Sequence, residues 1–248
     1  MHSKKEVQFF YDSWFNRFKK RSSAHKYIVR WKRARLRTAI ASFLDKFDGN
    51  VVLDFGCGAG HLTDLLLRRF RLVVGVDISR IGVKTAWKRS RVKEKCDFIL
   101  ADALHLPFKS DCFDVIVMSE VLEHLYDQAQ ALKNAKRVVK PHGHFIITTP
   151  NRLYRDVGQI MYKCALRRYN IGQIVENQLY PGVLRSLVKN YFNIERVRGV
   201  YFTVPCAERL VPNFLLPLRI WLSITFEKAG LLTKIALHQC LLCSPKIN

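Results

Sequence analysis

Apolar residues in the first fifty positions recur at three- and four-residue steps. Val7, Phe10, Trp14 and Phe18 share one helical face, and Lys19-Lys20-Arg21 follow. Ser22-Ser23 offers a break and a new cap. A second helix follows, with Leu36, Ile40, Phe43, Leu44 and Phe47 on its apolar side. Asp48-Gly49-Asn50 is turn chemistry, and beyond it the pattern changes to short apolar runs separated by longer amphipathic ones. The runs predict strands at 51–55, 72–76, 97–101, 113–118 and 144–149. The stretches between predict helices near 61–69, 79–90 and 127–139, with Pro141 and Gly143 closing the last.

Strand and helix in alternation imply a mostly parallel sheet with helices on both faces, because right-handed crossovers place them there. After Asn151 the pattern loosens. Residues 152–179 are basic and aromatic with few strand signals, which suits a lid or substrate element. Tyr180 to Phe192 reads as a helix, Asn193 to Phe202 as a strand and Ala236 to Cys243 as a final strand. Between the last two, Leu215 to Thr225 reads as an inserted amphipathic helix with Leu218, Trp221, Leu222 and Thr225 near one face. With 248 residues the chain suits one α/β domain. Its parts are N-terminal helices over 1–47, a core over 48–151, lid and substrate elements over 152–235, and a closing strand over 236–248.

The densest signal is V-V-L-D-F-G-C-G-A-G, Val51 to Gly60, followed by the helix-like H-L-T-D-L-L-L-R-R-F. Glycine lets a backbone turn sharply and approach a ligand with no Cβ in the way. A helix start beyond it offers free N–H groups to an anionic group. The next strand ends in Asp77, where a carboxylate can accept from both hydroxyls of a ribose. Dinucleotide sites read G-x-G-x-x-G, whereas Gly56, Gly58 and Gly60 alternate here, with Asp54 before them.

D-x-G-x-G-x-G resembles the first motif of the class I S-adenosylmethionine (SAM) methyltransferases. Asp102 after the third strand, F-D-V-I-V-M-S-E-V-L-E-H-L and G-H-F-I-I-T-T-P-N continue the resemblance over roughly residues 36 to 202. The broad ubiquinone-biosynthesis-like branch is the one it is most similar to. The resemblance implies a Rossmann-like seven-stranded sheet closed by an antiparallel hairpin, and SAM as the cofactor. It implies that Gly56, Gly58 and Gly60 run beneath the methionine part, that Asp54 orders the loop and that Asp77 holds the ribose. Asp102 and the backbone of Ala103 would meet the adenine amino group, Ile78 and Leu104 would line the ring, and Ser119 would stand near the methyl group. Singly, the alternatives are that Asp102 caps a turn and that Ile78 is plain core.

Glu120, Glu123 and His124 fall within one predicted helical turn of E-V-L-E-H. Carboxylates with an imidazole suit a divalent cation. Two related groups, the ubiquinone-pathway O-methyltransferases and the small-RNA 2′-O-methyltransferases, use a similar E-x-x-E-H for metal. The same letters shape pockets in many SAM enzymes with no known metal, so no metal is assigned. His124 with Glu123 is the candidate general base, the alternative being a histidine fixed by a backbone carbonyl. The loop after strand four reads S-E-V-L rather than the (N/D/S)-P-P-(Y/F) of amino-group methylases. The one Pro-Cys pair, Pro205-Cys206, lies far from it. These absences favour an oxygen, or a carbon, as acceptor.

Net charge is +22 and unevenly spread: residues 1–40 carry +10, 41–151 only +3 and 152–248 +9. A cofactor does not need that excess, so the basic flanks point to an anionic partner. One reading is a small or lipid-like acceptor met at an anionic membrane surface, with Phe9, Phe10, Trp14, Phe15 and Phe18 interleaved among basic residues. A second is RNA, with Arg30 to Arg37 tracking phosphates. A third is a non-catalytic SAM-binding protein. The start, M-H-S-K-K-E, leads into no uninterrupted apolar stretch, and Pro212, Pro217 and Arg219 interrupt the most apolar late segment. Seven scattered cysteines fit reduced thiols, and Cys240 with Cys243 reads as a buried strand pair rather than half a zinc site. The expected location is cytoplasmic, with peripheral membrane association.

Overall fold

The computed structural model describes residues 4–18, 23–156, 177–200, 225 and 236–246. Two N-terminal helices, α1 (Lys4–Phe18) and α2 (Ser23–Leu44), precede a seven-stranded sheet. The strands are β1 (Gly49–Phe55), β2 (Phe70–Asp77), β3 (Cys96–Leu100), β4 (Phe113–Ser119), β5 (Val139–Pro150), β6 (Phe192–Val200) and β7 (His238–Pro245). Their order is β3-β2-β1-β4-β5-β7-β6, with β7 antiparallel to both neighbours and the other pairs parallel. Between strands lie α3 (Thr63–Leu66), α4 (Arg80–Arg89), α5 (Gln128–Val138) and α6 (Pro181–Lys189). The expected mostly parallel, doubly covered sheet is therefore present.

Strand periodicity explains the two-faced core. Leu53, Ile116, Met118, Phe145, Ile147, Leu241 and Cys243 point to one face, where Leu132, Ala135 and Val138 of α5 and Leu184 and Val188 of α6 cover them. The alternate positions, Val52, Val115, Val117, Ile146, Cys240 and Leu242, point to the other face and meet Leu36, Ile40, Phe43 and Leu44 of α2. Each fully buried aliphatic or Phe side chain contributes about 1.5–3 kcal/mol. The N-terminal helix α2 is thus an integral layer of the domain. Burial pushes the Cys240 and Cys243 thiols far up, which keeps them protonated within the sheet.

Four expectations need correction. The helix over 61–69 is α-helical only across Thr63–Leu66; Arg68 and Arg69 donate to Leu65 and Leu66 three residues back, which tightens the end into β2. Pro141 and Gly143 do not close a helix. The chain leaves α5 at Val138 and enters β5 at once, and its register against β4 shifts between Phe113 and Val115. The helix expected over Tyr180 to Phe192 is shorter, Pro181–Lys189, with proline opening its first turn. Finally, E-V-L-E-H is not one helical turn. Only Leu122–His124 form a 3-10 turn, and Glu120 precedes it with φ of 57°. All of the helical insertion expected at Leu215 to Thr225 except Thr225, and most of the lid expected over 152–179, lie outside the described residues.

No helix among the described residues is long and apolar enough to cross a membrane.

Candidate active site

The glycine loop leaves β1 and is sewn to the end of β2 by its backbone. Gly56 and Cys57 both donate to the Val76 carbonyl, at 2.8 and 2.9 Å. Gly56, Gly58 and Gly60 all have positive φ, 81°, 51° and 69°. At Gly56 a second constraint applies, since a Cβ there would stand 2.3 Å from Val121 Cγ2. The loop that follows β4 therefore lies against the glycine loop, and the two halves of the sheet meet at that contact.

Asp77 completes the loop. Its Oδ2 accepts from Gly58 N at 2.8 Å and its Oδ1 from Ser79 N at 2.8 Å. Burial pushes its pKa up, and those backbone donors hold it back. Ser79 in turn caps α4 by accepting from Gly82 N at 3.0 Å. Asp12 of α1 reaches the same place: its Oδ1 accepts from Ser79 Oγ at 2.5 Å and from Ile81 N at 3.0 Å. The N-terminal helix is thereby fastened beside the glycine loop, a tie that sequence reasoning missed. An acidic residue among the basic residues of α1 was the available signal.

Asp54 is buried at the end of β1, 2% exposed, and its Oδ2 has no hydrogen-bond partner. Burial, then the nearby Asp77, pushes its pKa up to about 7. A buried carboxylate oxygen left over beneath three left-handed glycines is what a cradle for a hydrogen-bonding ligand looks like. At the far end, Asp102 Oδ1 accepts from Leu104 N at 3.0 Å and closes its own turn, with Oδ2 3.7 Å from His105. The Ala103 carbonyl is held by Asn134 Nδ2 at 3.1 Å, and Leu104 is buried. Ile78 is half-buried beside Asp77.

Beyond β4, side chains from three strands converge. Glu120 Oε1 accepts from Thr148 Oγ1 at 3.0 Å, and Ser119 Oγ lies 3.0 Å from the same hydroxyl. Thr148 has one proton to give and gives it to Glu120, so Ser119 donates to Thr148. The other carboxylate oxygen, Oε2, stands 2.9 Å from His238 Nδ1 at the start of β7. Burial works to raise the Glu120 pKa, but His238 and the Thr148 hydroxyl outweigh it and hold the carboxyl below its usual range. The left-handed backbone of Glu120 costs about 1–3 kcal/mol, a strain the surrounding contacts hold in place.

Glu123 turns the other way. Its Oε2 accepts from Thr149 Oγ1 at 3.1 Å and its Oε1 lies 3.7 Å from His124 Nε2. The His124 ring packs edge-on against Tyr11 of α1, centroids 5.9 Å apart. Glu120 is thus drawn to Thr148 and His238, and Glu123 to Thr149 and His124. Among the described residues no three His, Cys, Asp or Glu gather closely enough to hold a metal ion.

Residues 53–147 match the family described as "Methyltransferase domain". A probable SAM-dependent methyltransferase of Mycolicibacterium smegmatis is 38% identical over 161 residues, 64% of this chain and 58% of its own length. A ubiquinone biosynthesis O-methyltransferase of Alkalilimnicola ehrlichii is 34% identical over 125 residues, 46% of this chain and 47% of its own. The chain therefore spans about half the length of these curated relatives. Among solved structures, magnesium protoporphyrin IX methyltransferase from Synechocystis with bound SAH superposes with a TM-score of 0.69 at 16% identity, over 98% of this chain and 100% of that one. The match to a methyltransferase domain thus covers residues 53–147, on a sheet with the same fold as this solved methyltransferase.

Proposed function

We propose that the protein transfers a methyl group to an oxygen of a small or lipid-like acceptor. The observation that carries this reading is the Glu120–His238 contact at 2.9 Å, where β4 and β5 end and β7 begins. Bound SAM supplies an already activated methyl group, so the protein's part is to align a nucleophile and remove its proton. His238 Nδ1 stands 2.9 Å from the Glu120 carboxylate without the alignment of a hydrogen bond; a turn of the ring would form one and leave Nε2 to accept the nucleophile's proton, the arrangement of an oriented general base. His124 beside Glu123 is the second candidate base, with a longer partner distance of 3.7 Å.

For the cofactor, Gly56, Gly58 and Gly60 with Asp54 would hold the methionine part, Asp77 the ribose, Asp102 and Ala103 the adenine, with Ile78 beside the ring. Ser119 would stand near the methyl end. Asp77 already spends both oxygens on Gly58 and Ser79, so its help to a ribose would come through its remaining lone pairs and the loop it fixes. The basic flanks and Phe9, 76% exposed on α1, support an approach to an anionic membrane. Similarity to an O-methyltransferase of the ubiquinone branch supports oxygen as acceptor.

The test uses methyl-labelled SAM with purified protein and a cell extract, split afterwards into lipid, RNA, protein and small-molecule fractions. Label in the lipid or small-molecule fraction is expected, and label in RNA overturns the acceptor class. With the labelled acceptor recovered, His238→Gln and Glu120→Gln should lower the rate about 100-fold or more and flatten its rise with pH, while SAH affinity stays within about threefold. The same loss in His124→Gln but not in His238→Gln would transfer the role to His124.

A further inference from the structure

Asn151 follows the last residue of β5, is 1% exposed, and sends its polar groups to separate stretches of backbone. Its N–H donates to the Leu237 carbonyl at 2.8 Å, and its side-chain Nδ2 donates to the Ala236 carbonyl at 2.9 Å. Its Oδ1 accepts from Leu153 N at 2.9 Å, which settles the way the amide faces. Asn151 is held from its other side as well: it bridges to Leu179, whose carbonyl accepts from Arg152 N at 3.2 Å.

Ala236 and Leu237 are the two residues before His238. The ladder of β5 with β7 ends at the Pro150–His238 pair. The Asn151 N–H carries it one step further, and the side-chain amide adds a bond one residue beyond that. A strand end frays unless something fastens it. Here the fastening matters for the ring, because His238 Nδ1 makes no aligned hydrogen bond of its own. Where the imidazole stands is decided by the backbone that carries it, and it stands 2.9 Å from Glu120.

We propose that Asn151 is a positioning residue, which keeps His238 beside Glu120 by holding Ala236 and Leu237. Its amide is the part that acts. The bridge to Leu179 keeps the end of β5 in place when the side chain is changed. The consequence for turnover rests on the reading of His238 as general base; the placement of His238 does not.

The experiment follows the Glu120 carboxyl by NMR in the full chain with carbon-13 glutamate, its resonance identified by loss in Glu120→Gln. Burial pushes this carboxyl up, and His238, the Thr148 hydroxyl and His124 together push it down further. His238→Gln should therefore raise the midpoint of its titration. Asn151→Ser keeps the backbone N–H but cannot reach Ala236. It should raise the midpoint by a comparable amount and add nothing in combination with His238→Gln. Asn151→Leu keeps the bulk without the donor, carries the same expectation, and serves if the smaller side chain does not fold. A lower urea midpoint with the Glu120 titration unmoved, beside a raised one in His238→Gln, overturns the positioning role and leaves the base reading standing. A titration unmoved by His238→Gln overturns both, since the two side chains then do not meet. On the acceptor recovered from the labelled fractions, Asn151→Ser should lower kcat about tenfold, keep KM within about threefold and flatten the rise of rate with pH. Full kcat beside a shifted Glu120 titration overturns the part of Asn151 in the reaction.

Discussion

The two halves of the sheet build their parts of the site by different means. On the β1–β2–β3 side the contacts are made by backbone: Gly56 and Cys57 N–H groups on Val76, and Gly58 and Ser79 N–H groups on one carboxylate. Nearly all of it comes from residues close together in the sequence. On the β4–β5–β7 side the contacts run between side chains from three strands: Ser119 and Glu120, Thr148 and Thr149, and His238. A backbone cradle fixes a constant ligand, and a side-chain cluster can be exchanged to suit different acceptors. On the proposed assignment, the β1–β2–β3 side is the cofactor half and should fail through geometry, and the β4–β5–β7 side is the acceptor half and should fail through chemistry.

The largest effect tests the geometry. Gly56→Val places a side chain where Val121 Cγ2 stands 2.3 Å from a Cβ, on a backbone at φ of 81°. SAH binding measured by calorimetry should fall more than about 100-fold, and adding Val121→Ala should not restore it, because the backbone strain stays. Binding within threefold of the parent would break the comparison. Next comes Asp77→Asn, which removes the charge and turns an amide N–H₂ toward either Gly58 N or Ser79 N. About 10- to 100-fold weaker SAH binding is expected. A loss of methyl transfer with unchanged SAH affinity would move Asp77 to the acceptor half.

A smaller effect is a pH slope. The unfolded chain releases the Asp54 proton near pH 4, whereas the folded chain keeps it until about pH 7. Folded protein therefore binds the extra proton between those values, and the ligand-free protein should lose stability, on the order of a few kcal/mol, as pH rises through that window. Melting temperatures of Asp54→Asn should lack this slope and exceed the parent's above pH 7. A slope that persists in the variant would place its origin elsewhere. Smallest is Asp12→Ala, which removes the acceptor for Ser79 Oγ and Ile81 N. A cap-like loss of about 1 kcal/mol is expected, seen as a lower urea midpoint.

The same division governs what could be read before the fold was known. The strand positions follow from runs such as Val51 to Phe55, and the glycines announce their own backbone, so the turn between β1 and β2 was legible, with Asp54 and Asp77 near the ends of those strands. The use made of Asp77 was only partly so. Spacing put it at the strand end, but nothing in spacing says that both oxygens go to Gly58 and Ser79. In the acceptor half, a helical reading of E-V-L-E-H put Glu120 beside Glu123 and His124. The left-handed Glu120 instead sends its carboxylate to Thr148 and His238. His238 was missed because its partner is remote in sequence. The signal present was a polar pair, His238-Gln239, opening a strand that is otherwise apolar through Leu242. The helix over 61–69 was overcalled since its leucines do recur at helical steps; the entry into β2 cut it short.

The place of β7 has a consequence for how the molecule is made. It is the last of the seven strands to be synthesised, yet it lies inside the sheet between β5 and β6. Until residues 238–245 emerge, β6 has no neighbour and the outer edge of β5 stays bare. The cofactor half meanwhile has every strand it needs. A nascent chain of this protein should therefore complete its glycine loop early and the Glu120–His238 contact late, when β7 docks. During that interval the exposed edge of β5 is the segment most in need of protection from other chains.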